Sequence, residues 1–310
     1  IEAYNNFVVA PLKTEEEFRD IYVERPKGAP SPIEALKDRI ENAENAKKYI
    51  FLCFRGRGKS TELNRLSRAL DENRFLIVRY SIRELDVSDF DFRDFFASMA
   101  LKIYDTAEKE IELERDIKDD VRELMMSITK VSEEDITKYR EAGISFPKLI
   151  LQKLGREAEK RNDVRKQLAA KLSDLTQRFN WLTMEVENKS TKRIVVIVDD
   201  LDKLARGQQA EDFFYKNYGL LIQPNCFVIY TFPIPLTFNP YYENVRHAFD
   251  DDIILQKLTV RNRDRKMINE ENFNFYKGKE KKRLNLGLID EESLRQDILY
   301  SGKMCEFILV

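Results

Sequence analysis

Residues 53–61 read CFRGRGKST, and the reading of these nine residues decides the fold. The phosphate-binding loop pattern is G-x-x-x-x-G-K-[ST]. Gly58, Lys59 and Ser60 fill its second half, and Cys53 stands where the first glycine belongs. The stretch is preceded by YIFLCF (49–54), a continuous apolar run of the kind a buried parallel strand needs. It is followed by STELNRLSRAL, which places Leu63, Leu66 and Leu70 on one helical face. Strand, glycine loop and helix form the context the motif requires. Gly56 and Gly58 let the backbone curl so that successive N–H groups converge on phosphate oxygens at the positive end of the helix. In that frame Lys59 supplies a cation to the β- and γ-phosphates, Ser60 a hydroxyl ligand for Mg²⁺, and Thr61 a further phosphate donor. Arg55 and Arg57 complete the nucleotide-binding set.

Composition narrows the chemistry. The chain has 310 residues, enough for one large domain or two ordinary ones with a substantial core. Charged residues make up 35% of it and the net charge is −2, so no overall field points to nucleic acid or to an acidic membrane. The longest apolar runs, such as IVVIV at 194–198, fall far short of the ~20 residues of a membrane span. No basic-then-apolar secretory leader is present. The chain begins at Ile1 and finishes abruptly at FILV, so a lost leader, a lost upstream domain and a C-terminal continuation all stay open. Cys53, Cys226 and Cys305 form no C-x-x-C pair, which argues for a reducing, cytoplasmic setting and against a zinc site. His247 is the single histidine, so a multi-histidine metal site is excluded and that residue reads as structural. Lys, Asp, Ser, Thr and Arg remain, and these are the groups of phosphoryl transfer.

Along the chain, the opening 32 residues end in a Pro/Gly cluster and read as loop. PIEALKDRIENAENAKK reads as a helix with Pro32 in its first turn. A second strand (74–82) and a second helix (91–105) follow the glycine loop. Residues 104–141 then carry 13 acidic and 7 basic side chains around Leu113, Ile117, Val121, Leu124 and Ile128 at helical spacing. Val164, Leu168, Leu172, Leu175, Phe179, Leu182 and Val186 form a nearly heptad seam. It reads either as a helix lying on its own domain or as a packing surface for a partner. KRIVVIVDD (192–200) restores the α/β pattern, with a polar helix (209–217), a strand (226–232) and a final strand (251–260) after it. The last fifty residues read as helical, with Leu294, Ile298 and Leu299 on one face. The expected organisation is an N-terminal linker and helix (1–48), an α/β core (49–260) interrupted by a helical insertion (106–190), and a helical lid (261–310).

IVVIVDDLD supplies the second half of the site. Asp199 ends a buried apolar strand, as a Mg²⁺-holding aspartate requires. Asp200 follows where many hydrolases have Glu, in a position to orient attacking water, and Asp202 reads as an acid that shapes the turn or supports the ligands from behind. Together YIFLCFRGRGKSTELNRL, IVVIVDDLDKL and CFVIYTFPIPL resemble the ATPase core of AAA+ proteins, in particular their bacterial STAND-like and origin-recognition-like relatives. The resemblance spans most of 15–310 apart from the insertion. It implies a P-loop NTPase fold, with a three-layer parallel-sheet core, a helical lid, bound ATP and Mg²⁺, and assembly across the nucleotide. Carried over by position, Thr231 matches the polar sensor of the γ-phosphate, Arg246 the arginine finger offered to a neighbouring subunit, and Tyr22, with Ile21 and Val23, the adenine contact. An ion pair at Arg246 and a core role for 21–23 stay open beside these roles. Three departures stand out: Cys53 at the first glycine, the long gap from Lys59 to Asp199, and Lys303 and Glu306 in SGKMCE where relatives hold glycine and arginine.

The leading expectation is a slowly hydrolysing ATP-dependent switch that orders a homo-oligomer or a larger complex with an effector, in the manner of bacterial anti-phage modules. Residues 257–283 carry ten basic and four acidic side chains, interleaved with Phe273, Phe275 and Tyr276, so a nucleic-acid-loading ATPase is the second reading. Inward-facing aromatics on a solvated helix are the alternative there. A nucleotide-independent scaffold built on the heptad helix is the third. None of the three calls for a membrane.

Overall fold

In the computed structural model the structure describes residues 10–26, 31–54, 56–85, 87–129, 131–156, 165–166, 170, 172–204, 207–261, 267–283 and 290–301. Five strands, β1 (Lys48–Cys53), β2 (Phe75–Ser81), β3 (Arg193–Asp199), β4 (Phe227–Pro233) and β5 (Asp251–Leu255), form one parallel sheet in the order β2-β3-β4-β1-β5. Every residue of β1 and β4 is buried, and so is every residue of β3 after Arg193. Strands apolar throughout, without alternation, are what a parallel sheet covered on both faces demands. The expected parallel α/β core is therefore present. β5 stops at Leu255, earlier than the apolar run suggested. Val260, at the far end of that run, packs against Leu294, Ile298 and Leu299 instead.

The chain divides into two compact units, one of residues 42–52 and 70–253, the other of 1–41, 53–69 and 254–310. In the larger unit α4 (Phe92–Glu110) is capped by Asp91, whose carboxylate accepts from Arg93 N–H. Its Phe95 is fully buried among aromatic rings, edge-on to Phe213 at 5.0 Å, 5.6 Å from Tyr80 and 6.4 Å from Tyr230. Phe213 comes from the segment read as a polar helix. There a short helix, α9 (Gly207–Glu211), passes into a π-helical turn (Asp212–Lys216) that buries Phe213 and Phe214 side by side, 4.9 Å apart, ahead of α10 (Tyr218–Leu221). The wider i→i+5 turn lets two consecutive rings reach one core.

The insertion folds as α5 (Arg115–Thr129), α6 (Glu133–Glu141), α7 (Phe146–Arg156) and α8 (Leu172–Ser190). Leu113, Ile117, Val121 and Leu124 are buried, as their spacing predicted. On α8, Leu175, Phe179, Leu182 and Val186 face the unit's own core, with the Phe179 ring 5.1 Å from Phe96. That stretch of the heptad seam is interior; Val164 and Leu168 lie outside the described residues. Arg165 is buried and pairs with Asp94 at 2.7 Å and Asp89 at 3.0 Å, which ties the insertion to the start of α4.

In the smaller unit the opening residues are not all loop. Thr14 and Glu17 form a capping box that starts α1 (Glu15–Ile21). α2 (Pro32–Asn42) begins with Pro32 in the first turn, as expected, and buries Ile33, Leu36 and Ile40. α3 (Lys59–Ala69) follows the glycine loop. α12 (Glu270–Arg283) and α13 (Glu291–Ser301) enclose the cluster of Val260, Leu294, Ile298 and Leu299, with Phe273 and Tyr276 packed against it. Phe275 is buried as well.

Phe95→Ala removes the ring shared by five aromatic contacts, so the expected loss is about 3–5 kcal/mol, read as a lower urea midpoint. Met184→Ala, on the exposed side of α8, is expected to stay within about 0.5 kcal/mol of the parent.

Candidate functional site

β1 leads straight into the glycine loop. Cys53 is buried at the strand end, and its Sγ donates to the Phe54 carbonyl at 3.1 Å. Gly56 and Gly58 both take positive φ, 76° and 81°, which side chains other than glycine's rarely tolerate. Nothing stands within 4 Å of where a Gly58 Cβ would be, so backbone conformation alone demands glycine there. Glu62 N–H closes the first helical bond onto the Gly58 carbonyl at 2.9 Å, and α3 runs from Lys59 with Ser60 and Thr61 in its first turn. The loop thus has the strand, left-handed glycines and helix start that the sequence predicted. Arg57 lies within it; Arg55 lies outside the described residues.

The N-terminal segment is fastened to α3 in the same unit. Thr61 Oγ1 accepts from Leu12 N–H at 3.3 Å, and Asn64 donates to the Leu12 carbonyl at 2.7 Å. Tyr22 donates its phenol proton to the Glu62 carboxylate at 3.2 Å, with the Arg65 guanidinium 5.4 Å from its ring centre. Burial pushes the Glu62 carboxyl up, against the charges of Arg25 and Arg65 and the Tyr22 hydrogen bond. Burial also raises the Tyr22 phenol, and the Glu62 charge adds to that. On its other side the segment meets α12. Lys282 donates to the Tyr22 carbonyl at 2.7 Å and to that of Arg19 at 3.2 Å, closing the C-terminus of α1. A Cβ on Gly278 would come within 3.3 Å of Val23, so a glycine is what lets Val23 lie against α12.

The larger unit holds the acidic turn. β2 and β3 run in parallel register with Ser81 opposite Asp199, and β3 pairs with β4, so Asp199, Asp200 and Thr231 come together at the ends of adjacent strands. Asp200 adopts a left-handed conformation, φ 69°, which turns its carboxylate back toward β2. Ser81 donates to it at 2.6 Å, Lys203 forms an ion pair with it, and Arg83 Nε lies 3.6 Å away. Burial raises the Asp200 carboxyl, but the hydrogen bonds from Lys203 and Ser81 and the Lys203 and Arg83 charges outweigh it, leaving Asp200 below the usual carboxylate range. The Asp200 N–H donates to Asp199 Oδ1 at 2.7 Å, and Arg79 Nη2 lies 3.5 Å from Asp199 Oδ2. Thr231 is fully buried and accepts from Leu201 N–H at 3.0 Å, which locks the turn to β4.

Carboxylate oxygens of Asp199, Asp200 and Asp202 lie within 4.8 Å of one another. Hard oxygen donors at that spacing suit Mg²⁺. Arg246 lies elsewhere in this unit, on α11 (Tyr242–Ala248), half exposed and within 3.5 Å of Asp252 and 3.8 Å of Glu243. His247 beside it is exposed. Sequence reading missed Arg79, Ser81 and Arg83, because the pairing of β2 with β3 places the first two beside the acids and the turn after β2 adds the third. Lys203, three residues after Asp200 in DDLDKL, was visible but unassigned. No known family's sequence profile matches this chain, and no curated protein matches it.

Gly58→Ala is expected to cost about 1–2 kcal/mol, from the left-handed backbone alone, measurable as a shift in thermal unfolding. Asp200 carries a depressed carboxyl pKa, so its contribution to stability is full above the ordinary carboxylate value of about 4 and fades as pH falls through the lower folded value. Asp200→Asn is therefore expected to be less stable than the parent at pH 7, with the gap narrowing below about pH 4, read by urea titrations across pH.

Proposed function

We propose that the chain is an ATP-binding P-loop switch with slow hydrolysis. The observation that carries this reading is the glycine loop itself: two left-handed glycines between a buried strand and a helix that begins at Lys59. Its N–H groups and the helix start form a phosphate cradle of the kind described for nucleotide loops. Lys59 is assigned to the β- and γ-phosphates, Ser60 to a metal-bound phosphate and Tyr22 to the side of the base; in the larger unit Asp199 is assigned as a Mg²⁺ ligand. The ion, when bound, neutralises developing phosphate charge.

The surroundings of Asp200 support slow turnover. A carboxylate held at low pKa by Lys203, Ser81 and Arg83 is a weak proton acceptor. Thr231 and Arg246 are assigned sensing and partner-directed roles, the latter in favour of control over an assembly. The nucleic-acid-loading alternative draws no support from Phe273, Phe275 and Tyr276, which are packed or buried rather than presented for stacking.

Calorimetry with Mg²⁺–ATP, together with particle mass with and without nucleotide, tests the proposal. Lys59→Ala is expected to weaken ATP binding at least about tenfold, the loss of one charge-assisted contact to phosphate. ATP is expected to raise the mass of the parent assembly. A parent chain that binds no ATP overturns the reading.

A further inference from the structure

The acidic turn of the larger unit is ringed by cations, and one of them stands apart. Lys203, Arg83 and Ser81 converge on Asp200 and occupy both of its oxygens. Arg79 alone of these serves Asp199. It sits two residues before Ser81 on β2, so both side chains project from one face of the sheet, the face that carries Asp199 opposite Ser81. Its approach is one-sided: Nη2 is 3.5 Å from Asp199 Oδ2, longer than a charge-assisted hydrogen bond and without the paired fork an arginine can make. Its Nη1 is buried with no hydrogen-bond partner among the described residues. The Arg79 side chain keeps 31% of its surface exposed, so its guanidinium is held beside the acids by charge rather than by a full set of hydrogen bonds.

We infer that Arg79 is a resident counter-cation of Asp199, which a divalent ion displaces when it binds the acidic turn. The inference rests on the reading of Asp199 as a metal ligand and adds a second occupant that competes for the same oxygen. Two positive charges a few ångströms apart repel strongly in a partly buried site, so ion binding and the Arg79 contact exclude each other. Asp200, by contrast, is saturated by Ser81, Lys203 and Arg83 and stays fixed while Arg79 exchanges. The turn therefore holds its shape without metal, and the cost of moving Arg79 aside lowers affinity for the ion. Arg79 is thus a positioning residue that acts on metal affinity through Asp199.

The test is Mn²⁺ binding to the full chain, followed by electron paramagnetic resonance of the free ion without nucleotide. Parent, Arg79→Gln, Arg79→Met, Arg79→Lys and Asp199→Asn are compared. Removing the charge is expected to tighten Mn²⁺ binding roughly tenfold in the Gln and Met variants, and the Lys variant is expected to stay near the parent. The Met variant keeps an apolar stem against the sheet should the Gln variant fold poorly. Equal affinity in parent, Arg79→Gln and Arg79→Met, with binding lost in Asp199→Asn, overturns the counter-cation and leaves the metal reading standing. Tightening in Arg79→Lys as large as in Arg79→Gln also overturns it, because charge is then not the cause. Binding unchanged in Asp199→Asn, or absent throughout, overturns the metal reading and this inference with it.

Discussion

The burial of two adjacent carboxylates at the end of β3 constrains the whole larger unit. Ile194 through Val198 have no exposure, and Asp199 and Asp200 follow directly, themselves buried. A buried charge without partners costs several kcal/mol, more than most single contacts return. The neighbouring strands therefore have to present compensating groups at one level. Register between β2 and β3 places Arg79 and Ser81 there, the short turn after β3 brings Lys203, and β4 ties the turn down through Thr231. A one-residue slip would turn Arg79 and Ser81 to the opposite face and strand both acids. The apolar interior sets where the strands lie, and the acids set how they are aligned.

The smaller unit answers a different constraint. Its loop must hold two left-handed residues and then start a helix at once, which leaves the first helical turn short of partners. The N-terminal segment is built onto that helix. Leu12 brackets Thr61 and Asn64 through its backbone, Tyr22 closes on Glu62, and Arg65 gathers Glu24 and Glu34. The same segment bonds to α12 through Lys282 and leans on Gly278 through Val23. Residues 10–26, which carry little hydrophobic pattern, are thus held mainly by polar contacts. Their place is set by the partners they meet, and propensity has little part in it.

Packing resolved two ambiguities that pattern alone left open. The α8 seam had the spacing of an intermolecular heptad, yet from Leu175 to Val186 it covers the chain's own α4 and β3. Helical periodicity states which side chains share a face and is silent on what that face meets. The aromatics of 257–283 sit in a strongly basic stretch, yet Phe273 and Tyr276 cover the Val260 cluster and Phe275 is buried. Three rings spaced over four residues of a 14-residue helix with many charges had nowhere else to remove their surface from water.

By itself the sequence determined the local elements. Continuous apolar runs at 49–53, 75–78 and 194–198 read as buried parallel strands, and RGRGKST as a tight turn opening a helix, because period and glycine placement are local properties. The same locality made Asp199 and Asp200 legible as charges at a strand end. The Thr14–Glu17 capping box was equally local and marked a helix in a stretch read as loop. Only the tertiary structure decided what lies beside each element. It put Arg79 and Ser81, some 120 residues before the acids, at their side, brought Phe213 and Phe214 into one core, and joined the Tyr22 hydroxyl to Glu62. Such pairings depend on strand order, register and burial, which arise from the chain's collapse as a whole and leave no mark at the spacing of neighbouring residues.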